Sequence, residues 1–229
     1  MFKRLQNWLE DLERSWRESF GLDISTPEGR RDAWWHFMIA DHAALRVLWT
    51  NFYPVAPGVF RANQPSPKRL AKWKERGIKS ILNLRGTSRY SPYLFEREAC
   101  DALGLPLTNI NLAATELPSL ETIRQLEDHF RTLEKPFVLH CKSGADRAGF
   151  ASALYLLLIE NRPVEEAEKQ LGLKFAHMKH SAKGVLDFGL EKYRLANEAS
   201  PMSFRDWLET MYDPRAIYDE FHAKRGKRG

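Results

Sequence analysis

The 229-residue chain has few cysteines, Cys100 and Cys141 alone. Two thiols cannot build the disulfide framework of a small secreted domain, so we expect a reducing, cytoplasmic setting in which a thiol stays free. The chain lacks any run of about eighteen apolar residues, and no segment is predicted to span a membrane. Its first residues lack the apolar stretch of a signal peptide, so we expect no secretory leader.

Charge of one sign and internal repetition are also scarce. The formal net charge is only +5, which suits an anionic substrate but does not indicate nucleic acid, and we expect no nucleic-acid partner. No repeat or low-complexity stretch divides the chain. With 43% hydrophobic residues, the sequence can bury one sizeable core, and a second full domain is not expected.

Three regions are predicted from the pattern along the chain. Residues 1–53 read as a helical extension packed on the core, 54–197 as the catalytic domain, and 198–229 as C-terminal helices with a basic tail. A second interpretation of the extension is an amphipathic face that contacts a membrane peripherally through Trp8, Trp16, Trp34 and Trp35. The acidic residues interleaved there count against binding to an anionic membrane.

Strands and helices alternate through the middle of the chain. Strands are predicted at 59–62, 78–84, 107–112 and 137–140, with helices between them. Repeated β-α units of this kind predict an α/β fold with a mostly parallel central sheet flanked by helices, here with extra helices at both ends. Ligands of such sheets sit beyond the carboxyl ends of the strands.

One loop lies at such a strand end. Cys141 directly follows the strand 137–140, Arg147 comes six positions later, and a long apolar helix is predicted from 148. Gly144 allows tight curvature in between. The backbone N–H groups of the intervening residues can form an anion-binding nest at the N-terminus of the helix. The residues predicted to bind phosphate in this way are Lys142, Ser143, Gly144 and Ala145.

The chemistry expected of this loop is nucleophilic catalysis by sulfur. The positive end of the helix stabilises a thiolate at Cys141, and attack on phosphorus would form a phosphocysteine that water then hydrolyses. Arg147 can donate two hydrogen bonds to the phosphoryl oxygens in the ground and transition states. This chemistry requires no metal or other cofactor, and we expect none.

The His140-Cys141-x5-Arg147 motif resembles the signature of the protein tyrosine phosphatase superfamily. Residues 57–66 and 77–86 are similar to the opening strands of its compact dual-specificity-like branch, in particular the atypical bacterial, plant and fungal members. The resemblance implies the cysteine-phosphatase fold and phosphomonoester hydrolysis. It also implies that His140 orients the cysteine loop, and it suggests a bacterial protein.

Two positions depart from the family pattern. Ala148 stands where a Ser or Thr hydroxyl usually stabilises the departing thiolate, a role that Ser143 could assume. In the family, an Asp in the stretch that corresponds to 109–118 usually serves as general acid. Here the one carboxylate in that stretch is Glu116. Asp146 lies inside the loop, as in myotubularin-type lipid phosphatases, and we favour it over Glu116 as the acid. A substrate with a good leaving group would make a strong acid unnecessary.

The substrate class stays open at this stage. Arg85 and Arg89 follow the predicted strand 78–84 on the same rim of the sheet as Cys141, where they could bind a second phosphate. Phosphotyrosine or phosphoserine in proteins, an anionic lipid and an inositol phosphate all suit an anion-binding loop. Lys142 and the in-loop Asp146 favour a highly anionic or lipid-borne phosphate.

Two further classes of function remain as alternatives. A weakly catalytic phosphate-binding module would explain Ala148 and the missing loop Asp. A rhodanese-like sulfur transferase, or its Cdc25-like phosphatase relative, also places a cysteine loop after a strand, although the Gly144-to-Arg147 portion fits that family less well.

Overall fold

The computed structural model describes residues 22–41, 43, 46 and 49–226. The predicted membrane-contacting residues Trp8 and Trp16 therefore lie outside the described residues.

A mixed sheet of five strands forms the centre of the described part, with the spatial order β1-β2-β5-β3-β4. The strands are β1 (Tyr53–Ala56), β2 (Val59–Asn63), β3 (Ser80–Asn83), β4 (Leu107–Asn109) and β5 (Phe137–Cys141). All neighbouring pairs are parallel except β1 with β2, which are antiparallel. The predicted α/β architecture with a mostly parallel sheet is confirmed.

Nine α-helices flank the sheet in the described part of the chain. They are α1 (Pro27–Trp35), α2 (Pro67–Glu75), α3 (Ser91–Leu103), α4 (Leu120–Thr132), α5 (Asp146–Leu158), α6 (Val164–Glu168), α7 (Val185–Ala199), α8 (Phe204–Thr210) and α9 (Pro214–Gly226). Helices α1 and α2 begin at proline residues, where the preceding Thr26 and Ser66 hydroxyls each accept a hydrogen bond from a first-turn N–H.

Burial places β5 and α5 at the centre of the molecule. Every residue of β5 is buried, and α5 is buried along nearly its whole length, as expected for a helix that is apolar all round. Phe137 of β5 and Tyr155 of α5 pack edge to face, with ring centroids 6.1 Å apart. The turn between these two elements is therefore held from both sides by the most buried parts of the fold.

Several elements differ from the sequence prediction. Strand β1 was not predicted because Pro54 interrupts its pattern, which an edge strand tolerates. Strand β4 ends at Asn109 rather than 112, and beyond it only an isolated bridge joins Asn111 to Arg85. The helix after β3 is predicted from the sequence over 96–103, but α3 begins at Ser91, because Pro92 fits its first turn.

The N-terminal segment contacts the sheet domain through α3. The Phe37 and Phe95 rings lie 6.1 Å apart, and Arg30 donates to Glu98 at 2.8 Å. These contacts favour packing of the extension on the core, while its division from residues 54–197 stays a prediction. Trp34 and Trp35 are each about half exposed. None of the helices that the structure describes is long and apolar enough to cross a membrane.

Candidate active site

Cys141 ends the central strand β5, and the loop that follows leads directly into α5. The thiol is free and buried, 2% exposed. Cys100 is also free, but it lies in the core, where burial and the nearby Glu96 raise the pKa of its thiol to about 12. Cys141 is thus the cysteine at the carboxyl edge of the sheet, where the sequence predicts the site.

Arg61 of β2 donates hydrogen bonds to the backbone of the loop that follows Cys141. Its side chain is fully buried, and Nη2 donates to the carbonyl oxygens of Gly144 at 2.7 Å and Ala145 at 3.0 Å. Nη1 donates to the Gln170 carbonyl at 2.6 Å, and the guanidinium stacks 3.8 Å from the Phe175 ring centroid. Burial lowers the pKa of Arg61 to about 10, so the group remains a cation at neutral pH.

Two further donors engage the first carbonyls of the loop. The Gln64 backbone N–H donates to the Lys142 carbonyl at 3.2 Å. The Asn51 amide donates to the Ser143 carbonyl at 3.1 Å and also to that of Phe175 at 3.0 Å. The carbonyls of residues 142 to 145 therefore all accept hydrogen bonds from outside the loop.

The direction of these carbonyls fixes the direction of the amides. In a trans peptide unit the C=O and the following N–H point in opposite directions. Because the carbonyls of 142 to 145 point to Gln64, Asn51 and Arg61, the N–H groups of 143 to 146 point away from these donors. Convergent amides at a helix N-terminus form the type of nest that binds an anion.

Gly144 is required at the tightest point of the loop. Its φ is +73°, and a Cβ built there would lie 2.8 Å from the backbone of Ala62 and Asn63. Backbone atoms of a central strand cannot move aside, so any larger residue would push the loop away from β2.

Asp146 forms ion pairs on the side of the loop that faces α7. Its Oδ1 lies 2.8 Å from His177 Nδ1, and its Oδ2 lies 3.1 Å from Lys183 Nζ. His177 Nε2 lies 2.6 Å from Asp187 Oδ2. Both ring nitrogens of His177 thus face carboxylates, and only the doubly protonated imidazolium can donate to both.

Protonation follows this geometry. Burial raises the pKa of Asp146, but the His177 hydrogen bond and Lys183 outweigh it and lower that pKa below its usual range. Burial lowers the pKa of His177, whereas the hydrogen bonds to Asp146 and Asp187 raise it to about 9. A general acid must hold a proton and face the leaving group. The structure does not favour Asp146 in that role, because both its oxygens are engaged by cations.

Glu116, the other predicted acid, is exposed in the bend between β4 and α4. It is not among the residues that line the cleft described next. Neither predicted carboxylate is therefore positioned as an evident proton donor.

A cleft of about 320 Å³ opens beside the loop. Its walls come from the N-terminal segment, the β3–α3 connection and the loop itself: His36, Asp41, Gln64, Asn83, Arg85, Gly86, Ser88, Tyr90, Pro92, Tyr93, Glu96, Lys142 and Arg147. The structure thus brings the predicted residues Arg85, Lys142 and Arg147 to one cavity. Arg89 is exposed outside this lining and contacts Tyr90, with its guanidinium 5.3 Å from the ring centroid.

Asp41 is a buried carboxylate among the cations of this cleft. Its Oδ1 lies 2.9 Å from Arg85 Nη2 and 3.5 Å from Lys142 Nζ, while its Oδ2 lies 2.6 Å from Arg46 Nη2. Burial raises the pKa of Asp41, but Arg85 and Arg46 outweigh it and lower that pKa to about 2. Asp41 is therefore ionised throughout the physiological pH range.

Polar side chains link the cleft to strand β5, which ends at Cys141. His140 Nε2 lies 2.6 Å from Glu96 Oε1, with both side chains fully buried. Gln64 donates to the other Glu96 oxygen at 2.8 Å and accepts from Arg85 at 2.8 Å. The role of His140 in orienting the loop stays a prediction, whereas Arg85 is fixed in direction by its hydrogen bonds to Gln64 and Asp41.

Sequence reasoning missed three participants in this site, Asp41, Asn51 and Arg61, and it placed His177 only in a basic stretch that could border the site. The basic stretch around His177 gave no sign that the ring meets two carboxylates. An arginine inside the apolar strand 59–62 was the one available signal, since a buried arginine requires acceptors.

With the geometry in place, comparison with known proteins decides the family. Residues 56–185 match the profile of the family described as DSP-PTPase phosphatase fused to NAD+ kinase. The chain belongs to this family. It is thus an atypical, dual-specificity-like phosphatase of the protein tyrosine phosphatase superfamily, as the motif resemblance implied, and the rhodanese-like alternative is not favoured. Among curated proteins, none matches this phosphatase.

The chain is also similar to several solved structures. A DUF442 protein of Shewanella putrefaciens CN-32, solved as a candidate phosphatase, aligns with a TM-score of 0.50 at 14% identity over 65% of this chain and 97% of its own. TpbA of P. aeruginosa aligns with a TM-score of 0.49 at 17% identity, over 64% of this chain and 90% of its own. The core catalytic domain of the S. cerevisiae PP-IP phosphatase SIW14 aligns with a TM-score of 0.49 at 20% identity, over 67% of this chain and 96% of its own.

Proposed function

We propose that this phosphatase hydrolyses phosphomonoesters through a covalent phosphocysteine at Cys141. One observation carries the proposal. The carbonyls of residues 142 to 145 accept hydrogen bonds from Gln64, Asn51 and Arg61, which turns the following amide N–H groups away from these donors, and Arg147 at the end of the loop lines the cleft. A thiol, a ring of donors and an arginine are the groups that transfer of a phosphoryl group to sulfur requires.

The reaction has two displacement steps. The Cys141 thiolate attacks phosphorus, the bond to the leaving oxygen breaks, and that oxygen takes up a proton. Water then attacks the phosphocysteine, which releases inorganic phosphate and restores the thiolate. In both steps Arg147 and the amides of residues 143 to 146 stabilise the charge on the equatorial oxygens.

Asp146 acts in this scheme as a positioning residue. Its ion pairs with His177 and Lys183 attach the start of α5 to the α7 side of the molecule, and so fix the direction of the adjacent Arg147. Because the described contacts do not favour Asp146 or Glu116 as the group that protonates the leaving oxygen, the enzyme acts best on substrates whose leaving group has a low pKa. An aryl phosphate meets this requirement better than an alkyl phosphate, because a phenol has a pKa near ~10.

The cleft walls support the same substrate class. His36, Tyr90, Pro92 and Tyr93 are among the residues that line the cavity, and the His36 and Tyr90 rings stack with centroids 5.9 Å apart. Aromatic walls of this kind accept a planar ring by stacking. We infer an aryl phosphomonoester, of which phosphotyrosine is the protein form.

Ala148 and the unassigned acid favour one second candidate, a phosphate-binding module with weak turnover. Ala148 is fully buried at the start of α5 and carries no hydroxyl to aid departure of the thiolate. Such a protein would bind phosphate as well as the enzyme does but would release product slowly.

Hydrolysis of p-nitrophenyl phosphate distinguishes the two functions. For the enzyme we expect turnover that vanadate inhibits, that Cys141→Ser abolishes and that Arg147→Lys lowers by at least about 100-fold. The Cys100→Ser variant is the matched control and should retain activity, since its thiol lies in the core. Vanadate binding without turnover would instead establish the binding module.

A further inference from the structure

The cations that line the cleft are not equally available to a ligand. Arg85, Lys142 and Arg147 all reach the cavity, but Arg85 and Lys142 face the Asp41 carboxylate at 2.9 and 3.5 Å. Among these three, Arg147 is the one without a contact to Asp41 in the described structure. The positive charge offered beyond the scissile phosphate is therefore reduced by an anion that the protein itself supplies.

Asp41 is held firmly in this position. Its side chain is 7% exposed, Arg46 binds its second oxygen at 2.6 Å, and its backbone N–H donates to the His36 carbonyl at 3.0 Å. Gln64 fixes Arg85 from the other side. A ligand cannot move this carboxylate aside without breaking buried ion pairs, which is costly because each partner would be left uncompensated.

We propose that Asp41 is a specificity-determining residue that restricts the cleft to singly phosphorylated substrates. A second phosphate next to the scissile one would meet the Asp41 carboxylate and compete with it for Arg85 and Lys142. This inference rests on the proposed phosphate-binding role of the loop. It also assigns a function to the N-terminal segment, because residue 41 precedes the matched family region 56–185.

Direct binding tests this selectivity without relying on turnover. Full-length protein carrying Cys141→Ser is titrated calorimetrically with inorganic phosphate and with inositol hexakisphosphate, with and without Asp41→Asn. We expect Asp41→Asn to raise affinity for the hexakisphosphate, relative to that for phosphate, by about tenfold or more, because a partly buried like charge is removed.

The matched control is Asp32→Asn, which changes the net charge equally. Asp32 is exposed on α1 and pairs with Arg31 at 3.7 Å. The affinity ratio should stay within about twofold in this variant, since exposed charges are screened. An unchanged ratio in Asp41→Asn, or an equal rise in Asp32→Asn, would overturn the proposal.

A second variant decides the matter if Asp41→Asn does not fold. With Asp41 intact, Lys142→Gln should weaken hexakisphosphate no more than phosphate, because the lysine charge is already committed to Asp41. A selective loss of hexakisphosphate affinity would contradict the inference. If Asp41→Asn shifts the affinity ratio but the wild-type protein hydrolyses no substrate, only the proposed enzyme activity is refuted. If the wild-type protein is active but Asp41→Asn leaves the ratio unchanged, only the role of Asp41 is refuted.

Discussion

Asp146 Oδ1 and His177 Nδ1 lie 2.8 Å apart in a buried ion pair that joins the loop after Cys141 to the segment preceding α7. Because Asp187 binds the other ring nitrogen at 2.6 Å, His177 is held as an imidazolium between two carboxylates. This relationship accounts for the acidic residue inside the loop without a role in proton transfer.

The imidazolium of His177 should make the protein less stable at alkaline pH, where the ring loses its proton. The pKa of His177 is raised from 6.5 to about 9, so its contribution to the free energy of unfolding is complete below about pH 6.5 and is lost as pH rises through about 9. We expect His177→Gln to remove this dependence: the stability difference between wild type and variant should shrink by about 2 kcal/mol from about pH 7 to about pH 10. Denaturant titration at each pH measures it.

The exposed His180 offers the matched control for this prediction. His180→Gln should leave the alkaline stability profile unchanged. A stability difference for His177→Gln that is constant across this pH range would show that the ring is neutral in the folded protein.

Alanine substitutions at Gly144 and Gly77 distinguish the cost of a positive φ from the cost of a steric clash. Both have positive φ, +73° and +84°, but a Cβ at residue 77 meets nothing within 4 Å. Gly77→Ala should cost about 1 kcal/mol of unfolding free energy, whereas Gly144→Ala should cost more and lower phosphatase activity by at least about 100-fold. Equal losses in thermal stability and activity for the two variants would contradict the described loop geometry.

The sequence predicted the parts of the site that are local in the chain. The residue pattern predicts the strand that ends at Cys141, the loop 141–147 and the helix after it. It also predicts the mostly parallel sheet. The fixing contacts are long-range: Arg61 meets Gly144 across 83 positions, and Asn51 meets Ser143 across 92. Hydrophobic periodicity carries no information about such pairs. The cationic partners of Asp146 could not be predicted for the same reason, because they lie 31 and 37 residues further along the chain.

Arg61 is predicted to be essential for the shape of the loop. Arg61→Lys keeps the positive charge but loses the fork that donates to Gly144 and Ala145 together. We expect a loss of about 3 kcal/mol in unfolding free energy and weaker vanadate binding. Arg76→Lys, at an exposed position, is the control and should change neither quantity measurably. Tight vanadate binding by Arg61→Lys would show that the loop keeps its shape without the guanidinium.

Leaving-group chemistry tests the absence of an efficient acid. Across a series of aryl phosphates, kcat/KM should fall steeply as the pKa of the leaving phenol rises, because little protonation assists its departure. Asp146→Asn should lower stability while keeping this slope, and Glu116→Gln should change kcat by less than about threefold. A slope that is shallow in wild type and steep in Asp146→Asn would restore Asp146 as the proton donor.

The most direct test of the central claim is to trap the covalent intermediate. Wild-type protein mixed with p-nitrophenyl phosphate is quenched rapidly in acid, digested and examined by mass spectrometry. The account predicts one added phosphoryl group on the peptide that contains Cys141, absent when residue 141 is serine and absent from the Cys100 peptide. Continued turnover by Cys141→Ser, or turnover by wild type with phosphate found on another residue, would contradict it.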